Sequence, residues 1–204
     1  MRTAIFYDTE TTGLPLFKEP SEHPDQPHIV QLAAKLVDLD SRKAIATIDH
    51  IVKPDGWVIP DDVAKIHGIT TERALDVGLE ESDVLVSFLS LWEQSNIRIG
   101  HNEPFDARIV RIACMRHADE FMADNWKAGA SECTQILSTP ILKLPPTPKM
   151  IAAGFKKHKS ANLGEAYEYF TGKKLDGAHN ALVDVDACIE VYFAIQDAKQ
   201  GVAA

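Results

Sequence analysis

The hydrophobic pattern opens with a short apolar run, Ala4 to Tyr7, which is typical of a buried strand. Residues 28–40 and 43–54 form two longer apolar segments around a polar turn. The first of these is rich in the helix formers Ala, Leu and Lys, but its pairing with the second across a short turn favours two antiparallel strands. The sequences NIRIG, residues 96–100, and ECTQILS, residues 132–138, predict two further short strands.

Apolar residues at helical spacing predict the helices that follow these first strands. Two short helical turns end near Gly68 and Gly78, and longer helices cover residues 81–95, 101–117, 161–172 and 180–199. Asn102 is the predicted N-cap of the second long helix, with Pro104 in its first turn. Antiparallel strands followed by strands that alternate with helices indicate an α/β fold, a mixed sheet covered by helices.

Two proline-rich segments interrupt this pattern. Residues 14–27 contain four prolines and predict a loop that is long enough to have a function of its own. Residues 139–159 combine prolines with lysines and predict a second irregular segment. The sequence contains neither a flexible linker nor a repeat, so we expect a single domain over residues 1–204.

The composition is that of an ordinary globular protein, with 45% hydrophobic and 25% charged residues. We find no signal peptide and no apolar run long enough to span a membrane. The three cysteines are scattered and lack the spacing of a zinc or redox motif, which predicts buried, reduced thiols in a cytoplasmic protein.

The net charge of -9 is opposite in sign to that of a typical nucleic-acid binder, but the charge is unevenly distributed. Residues 143–174 contain seven lysines and two acids, a local balance of +5, so the rest of the chain carries -14. Such a stretch is either a solvated surface or a basic rim that holds a polyanion beside an acidic site.

Carboxylates stand at three equivalent points of the predicted fold. Asp8 and Glu10 end the first strand on one face, because strand side chains alternate. Asp106 and Asp184 each lie in the first turn of a helix, and His179 lies five residues before Asp184. Strand ends and helix starts converge on one edge of an α/β sheet, where ligands bind. We therefore expect these side chains to share one pocket.

Four carboxylates without arginine partners repel one another, and divalent cations would relieve that repulsion. Oxygen ligands suit Mg²⁺ or Mn²⁺, and two such ions would balance four negative charges. Two-metal sites catalyse in-line displacement at phosphorus, and this reaction needs a base that titrates near neutral pH. His179 is the candidate for that base.

Each residue also has an ordinary structural interpretation. An Asp-x-Glu pair at a strand end is usually solvated, an aspartate in the first turn of a helix complements the helix dipole, and a histidine before a helix often caps it. Spacing alone does not distinguish Asp184 from Asp186. The prediction depends on the combination of residues.

The residues of this combination are similar to a known family. The sequences DTETTG (8–13), HNEPFD (101–106) and HNALVD (179–184) resemble the three exonuclease motifs of the DEDD superfamily, and IHGIT (66–70) resembles a further loop of that group. The His-x4-Asp spacing of the third motif resembles the histidine branch, the epsilon-subunit and RNase T-like exonucleases. The resemblance implies a ribonuclease H-like α/β fold, with a mixed five-stranded sheet of three antiparallel and then parallel strands, flanked by helices.

The resemblance also implies roles for individual residues. The metal ligands would be Asp8, Glu10, Asp106 and Asp184, which decides the choice against Asp186, and His179 would be the general base. A second group would contact the 3′-terminal nucleotide or support the site: Thr9, Thr11, Leu14 and Asn102.

The activity implied is metal-dependent 3′–5′ exonuclease action through two divalent cations, Mg²⁺ or Mn²⁺, on single-stranded or frayed 3′ ends, with DNA slightly favoured. The alternatives are an exoribonuclease that trims RNA or short oligonucleotides and an inactive nucleic-acid-binding module.

A polymerase partner is less expected, because no long tethering tail follows the last helix. The sequence contains no coiled-coil pattern and does not indicate an oligomeric state. Residues 14–27 and 139–159 depart from the family pattern; the first would border the substrate groove or be surface decoration, and the second would shape the nucleic-acid entrance.

Overall fold

The computed structural model describes residues 2–199 and 201. Within them the strands are β1 (Thr3–Thr11), β2 (Ile29–Asp38), β3 (Lys43–Ile51), β4 (Ile97–Gly100) and β5 (Ser131–Cys133). The helices are α1 (Asp61–His67), α2 (Thr71–Val77), α3 (Glu81–Trp92), α4 (Glu103–His117), α5 (Glu120–Ala128), α6 (Thr134–Leu142), α7 (Pro148–Ala152), α8 (Leu163–Thr171) and α9 (Ala181–Lys199). No helix among these residues is both long and apolar enough to cross a bilayer.

The strands form one mixed sheet in the order β3-β2-β1-β4-β5. The pairs β1–β2 and β2–β3 are antiparallel, whereas β1–β4 and β4–β5 are parallel. The predicted ribonuclease H-like arrangement of three antiparallel and then parallel strands is therefore confirmed. The two segments predicted as antiparallel strands, residues 28–40 and 43–54, contain the paired strands β2 and β3, although the first is rich in helix formers.

Alternation along β1 assigns its side chains to two hydrophobic layers. Ile5 and Tyr7 pack with α3 and α4 on one side of the sheet. Ala4 and Phe6 pack with α9 on the other side. Burying a large apolar side chain contributes about 1.5–3 kcal/mol, so this alternation fixes the register of the strand. It also determines which face Asp8 presents beyond the apolar run.

The carboxyl ends of β1, β4 and β5 lie at the same edge of the sheet, because these three strands run parallel. Helix α4 begins just after β4, and α6 begins directly after β5. Helix α9 packs against β1 and β2. This edge, the carboxyl edge, therefore collects the end of β1 and the first turns of several helices, as expected for a ligand site in an α/β sheet.

The structure corrects the prediction for residues 132–159. The strand predicted over 132–138 ends at Cys133, and the rest belongs to α6. Helix α6 forms although Pro140 lies inside it. Leu137 and neighbouring apolar residues pack against α8 and α9, and this packing stabilises the helix beyond its local propensity. The segment 139–159 is thus not wholly irregular: it includes the end of α6 and all of α7, where a proline opens the helix, as is common at that position. Helix α5 was not predicted.

The proline-rich loop of residues 14–27 is held against α4. Arg108 and Arg116 donate to its backbone carbonyls, Arg108 at 2.6 Å and Arg116 at 2.9 and 3.2 Å. Arg111 donates to a serine hydroxyl of the loop at 2.8 Å. Inside the loop, the buried Gln26 side chain accepts the Leu16 N–H at 3.0 Å and donates to the Pro20 carbonyl at 2.8 Å, which ties the end of the loop to its beginning. Proline removes backbone donors, so these side-chain hydrogen bonds replace the ladder that the segment cannot form.

Candidate active site

Asp8 and Glu10 lie side by side at the carboxyl end of β1, on the face that α9 covers. Both are half-buried. Glu10 stands opposite Gln31 of β2, and the register shifts by one residue between Glu10 and Thr11. Such an irregularity ends regular pairing and redirects the side chains beside it. The strand therefore places two carboxylates at the carboxyl edge, and its regular pairing with β2 ends after them.

Asp106 reaches the same place from the first turn of α4 and is held there by Thr9. The Thr9 backbone N–H and hydroxyl both donate to Asp106 Oδ1, at 3.0 and 2.7 Å. Asp106 is 3% exposed, so this oxygen is satisfied entirely from within the protein. The arrangement leaves Asp106 Oδ2 for another partner.

Asp184 lies in the first turn of α9, directly above the loop that contains His179. The His179 N–H donates to Asp184 Oδ2 at 3.1 Å. His179 has a left-handed backbone with φ 67°, which is uncommon for a side chain of this size, and the hydrogen bond helps to hold it. Ligand atoms of Glu10, His179 and Asp184 all lie within 4.8 Å of one another.

The alternative carboxylate on α9, Asp186, has a different environment. It is exposed and pairs with Lys35 of β2. Asp184, not Asp186, joins Glu10 and His179 in the cluster. The role of Asp184 as a metal ligand stays a prediction.

Burial raises the pKa of every carboxyl in this cluster, and repulsion between the carboxylates adds to the effect at Asp8 and Glu10. For Asp8, burial is the largest cause, followed by the negative fields of Asp106, Asp184 and Glu10, and the pKa lies well above its usual range. Burial, then Asp184 and Asp106, raise the pKa of Glu10 to about 8. Burial raises the pKa of Asp106 to about 7 despite the hydrogen bonds from Thr9. Burial also raises the pKa of Asp184, while His179 opposes that change.

One unsatisfied oxygen indicates that the cluster can bind divalent cations. Among the residues that the structure describes, Asp184 Oδ1 is buried and has no hydrogen-bond partner. An unsatisfied buried oxygen in a group of carboxylates is unfavourable unless a cation completes it. The candidate donors are the carboxylate oxygens, and such hard ligands suit Mg²⁺ or Mn²⁺.

The four residues predicted to contact substrate divide into two pairs. Leu14 is 74% exposed, just beyond the carboxyl edge, and Asn102 is exposed before α4. Thr9 and Thr11 are buried. The Thr9 N–H is donated to Asp106, and the Thr11 hydroxyl donates to the Gly13 carbonyl at 2.8 Å. Contact of these two residues with a nucleotide stays a prediction. Asn102 makes no side-chain cap; it has a left-handed φ of 66° instead.

Sequence analysis missed one residue that positions the site, Gln31. Its Oε1 accepts the N–H of Ala181 at the start of α9 at 3.1 Å, and its Nε2 donates to Asp49 Oδ1 at 2.7 Å. Gln31 is 3% exposed. It therefore ties the helix that presents Asp184 to the strand opposite Glu10. The signal was a single amide in the apolar run of β2.

A second missed residue is His67, in the loop IHGIT. Its Nδ1 accepts the Ile69 N–H at 3.1 Å, which places the ring proton of the neutral form on Nε2. Burial and then His179 lower the pKa of His67. His67 ends α1, and because the charge of His179 acts on it, the segment of residues 66–70 lies near the same site.

The fold and the site define a class: a ribonuclease H-like α/β fold in which carboxylates gather at the carboxyl edge of a mixed sheet. Comparison by sequence is more specific, since the profile of the RNase T exonuclease family matches residues 5–192. The chain belongs to this family. It is also similar to the DNA polymerase III subunit epsilon of Pasteurella multocida, with 34% identity over 103 residues, covering 50% of this chain and 38% of that protein.

Solved structures share the fold. Escherichia coli exonuclease I in complex with a dT13 oligonucleotide superposes with a TM-score of 0.74 at 20% identity, covering 98% of this chain and 42% of the other. The zinc-bound form of the same enzyme with single-stranded DNA gives a TM-score of 0.71 at 20% identity, over 98% and 42% of the two chains. The chain spans less than half the length of these relatives.

Proposed function

We propose that this protein is a 3′–5′ exonuclease that depends on divalent cations and releases nucleoside 5′-monophosphates from nucleic-acid 3′ ends. The single observation that carries the proposal is the convergence of Glu10, His179 and Asp184 within 4.8 Å, beside Asp8 and Asp106. Membership of an exonuclease family supports the reaction class. The 3′ polarity rests on the similarity of the three motifs to the histidine branch.

The residues that would hold two cations are Asp8, Glu10, Asp106 and Asp184. Bound divalent cations supply positive charge that stabilises the attacking and leaving oxygens during displacement at phosphorus. Thr9 holds Asp106 in place by its two hydrogen bonds. Gln31 holds the start of α9, and with it Asp184.

In hydrolysis a water molecule attacks the last phosphodiester phosphorus, and the 3′ oxygen of the preceding nucleotide leaves. His179 accepts the proton of that water through an imidazole nitrogen, since its ring lies within reach of the carboxylate cluster and is exposed to solvent. The hydrogen bond from its own backbone to Asp184 positions the ring. Partial burial of the carboxylates lowers the local dielectric and strengthens each interaction.

We propose DNA as the favoured substrate, because the exonuclease I structures of similar fold contain single-stranded DNA. The epsilon subunit is by its name part of a polymerase, and the partial similarity supports a polymerase partner as a secondary proposal. The three cysteines are free and buried, in keeping with a reducing cytoplasm.

The test is digestion of single-stranded DNA and RNA of matched sequence, labelled at the 5′ end or at the 3′ end, with Mg²⁺ or with EDTA. We expect a ladder from 5′-labelled DNA, immediate release of the label from 3′-labelled DNA, and no product in EDTA. Internal cuts, or cleavage in EDTA, would contradict the proposal. Faster digestion of RNA would identify an exoribonuclease. Tight binding of 3′ ends without product under any divalent cation would identify an inactive binding module.

A further inference from the structure

A cleft lies between the first half of α6 and the chain that follows α7, outside the carboxylate cluster. Its volume is about 530 Å³. Its walls combine basic, hydroxyl and apolar side chains: Gln135, Ile136, Thr139, Pro140, Lys156, Lys157, His158 and Ser160. No residue assigned to the active site lines it. We call it the α6 cleft.

The topology places the α6 cleft at the same edge as the active site. Helix α6 begins directly after β5, whose carboxyl end lies at the carboxyl edge because β5 is parallel to β4 and β4 to β1. Neighbouring strands lie about 4.8 Å apart and only β4 separates β1 from β5, so these two strands are about 10 Å apart across the sheet. The start of α6 is therefore within reach of a nucleic acid whose 3′ end enters the carboxylate cluster.

His101 connects the cleft to the active site. Its Nδ1 lies 2.9 Å from Thr134 Oγ1, at the start of α6, and its Nε2 donates to the Ala161 carbonyl at 3.1 Å. Through these two contacts His101, the first residue of HNEPFD, connects the two chain segments that form the walls of the cleft. Asp106 lies at the end of that sequence, so the cleft and the metal ligands share one rigid support.

The charge of the α6 cleft is opposite to that of the protein as a whole. Lys156, Lys157 and His158 line it, in a chain of net charge -9. Within the described residues Lys156 and Lys157 form no ion pair, whereas Lys159 pairs with Glu165. The two lysines therefore remain available for an anion, and a surface of this kind beside an acidic site attracts phosphates.

Apolar groups adjoin these charges. Ile136 is 64% exposed on the α6 wall, and Phe155, next to Lys156, is 60% exposed. Exposed apolar and aromatic side chains beside a basic groove are the features with which proteins hold single-stranded nucleic acid, by stacking on bases and pairing with phosphates. The segment is folded: the Lys159 N–H donates to the Leu144 carbonyl at 3.1 Å, closing the chain around α7.

We propose that the α6 cleft binds single-stranded nucleic acid on the 5′ side of the scissile nucleotide, with Lys156 and Lys157 contacting backbone phosphates and Phe155 contacting a base. The inference rests on the proposed function, since it assumes that a 3′ end occupies the carboxylate cluster. The cleft then determines how tightly longer strands bind, and the metal site performs the cleavage.

The test compares wild type, the double variant Lys156→Ala/Lys157→Ala and a matched control, Lys43→Ala/Lys199→Ala. The control removes the same charge from exposed lysines. Lys43 begins β3 and Lys199 ends α9, and both positions lie away from the carboxyl edge. For each protein kcat/KM is measured on a long single DNA strand and on a dinucleotide, with Mg²⁺. Binding of the long strand is measured with Ca²⁺ at several salt concentrations.

We expect the cleft variant to lose about tenfold or more in affinity for the long strand, and the ratio of kcat/KM between long strand and dinucleotide to fall. Each phosphate contact contributes about 0.7 to the slope of log K against log salt, so the slope should decrease by about 1.4. The control should match wild type. An unchanged ratio and slope in the cleft variant, with an active wild type, would overturn the inference alone. A wild type without activity on either substrate would instead overturn the proposed function.

Discussion

Thr9 donates both its backbone N–H and its hydroxyl to one oxygen of Asp106, at 3.0 and 2.7 Å. Thr9, which lies between Asp8 and Glu10 in β1, thus positions Asp106, a carboxylate of helix α4 almost a hundred residues later in the sequence. If Asp106 binds a cation as proposed, a carboxylate fixed in this way would need no reorganisation. Such supporting contacts typically contribute 10- to 100-fold to metal affinity or activity.

Thr9→Val should therefore reduce activity by about 10- to 100-fold, because it removes the hydroxyl and keeps the shape of the side chain. Thr9→Ser, which keeps the hydroxyl, should recover most of the loss. The measurement is kcat/KM on a labelled strand together with Mn²⁺ affinity by calorimetry. Equal activity in Thr9→Val and wild type would show that the hydroxyl does not position Asp106.

His179→Ala should retain cation binding but lose about 10²- to 10⁴-fold in kcat, the usual contribution of a general base. Calorimetry with Mn²⁺ gives the first quantity, and single-turnover digestion gives the second. The pH–rate profile of the variant should also lack the limb that reflects imidazole ionisation. Loss of cation affinity in this variant would indicate that His179 is a ligand instead.

Cation binding should become stronger as the pH rises from about 6 to about 8. The pKa of Glu10 is about 8 and that of Asp106 about 7 in the cation-free protein, so at lower pH a cation must displace protons. Affinity should increase by up to about tenfold per pH unit for each proton displaced and level off above that range. Calorimetry in buffers of different ionisation enthalpy measures the protons released. Binding without proton release at pH 6 would contradict these pKa values.

Glu81, at the start of α3, provides a stability prediction away from the active site. Burial disfavours its charge, but hydrogen bonds from His117 and His28, with the charge of Arg116, outweigh burial and lower its pKa from 4.5 to about 2. A lowered carboxyl pKa stabilises the fold above about pH 4.5, and the stabilisation is lost as the pH falls towards 2. The shift corresponds to about 3 kcal/mol.

Glu81→Gln should accordingly lower the free energy of unfolding by about 3 kcal/mol near neutral pH, and the difference should shrink as the pH falls below about 4.5. Glu80→Gln is the matched control, because Glu80 is exposed and its pair with Lys53, at 3.6 Å, is worth at most about 1 kcal/mol. Urea unfolding at several pH values gives both quantities. A difference independent of pH would show that the carboxylate charge is not the cause.

The parts of the fold with strong periodicity could be predicted from the sequence. The β2–β3 pair and the helices α3, α4 and α9 have apolar patterns that local physics and tertiary packing both favour. Helix α6 could not be predicted, since Pro140 argues against it locally and only its packing on α8 and α9 stabilises it. The strand predicted over residues 132–138 ends at Cys133 for the same reason, because the residues after it belong to α6.

The candidate site divides in the same way. The residue types of the carboxylate cluster and their placement at strand ends and helix starts were visible in the sequence. The supporting contacts were not: Thr9 to Asp106 and Gln31 to Ala181 join residues about 100 and 150 positions apart. Periodicity carries no information about which long-range partner a buried hydroxyl or amide finds. A polar residue inside an apolar strand indicates only that such a partner exists.

The most direct test of the central claim compares Asp184→Asn with Asp186→Asn. Both substitutions remove one carboxylate from the first two turns of α9, but only Asp184 lies in the cluster, while Asp186 pairs with Lys35 at the surface. The measurement is the rate of 3′ shortening of a 5′-labelled DNA strand with Mg²⁺. We expect Asp184→Asn to lose at least about a hundredfold in rate and Asp186→Asn to remain close to wild type. Equal rates in the two variants would contradict a catalytic centre at this edge of the sheet.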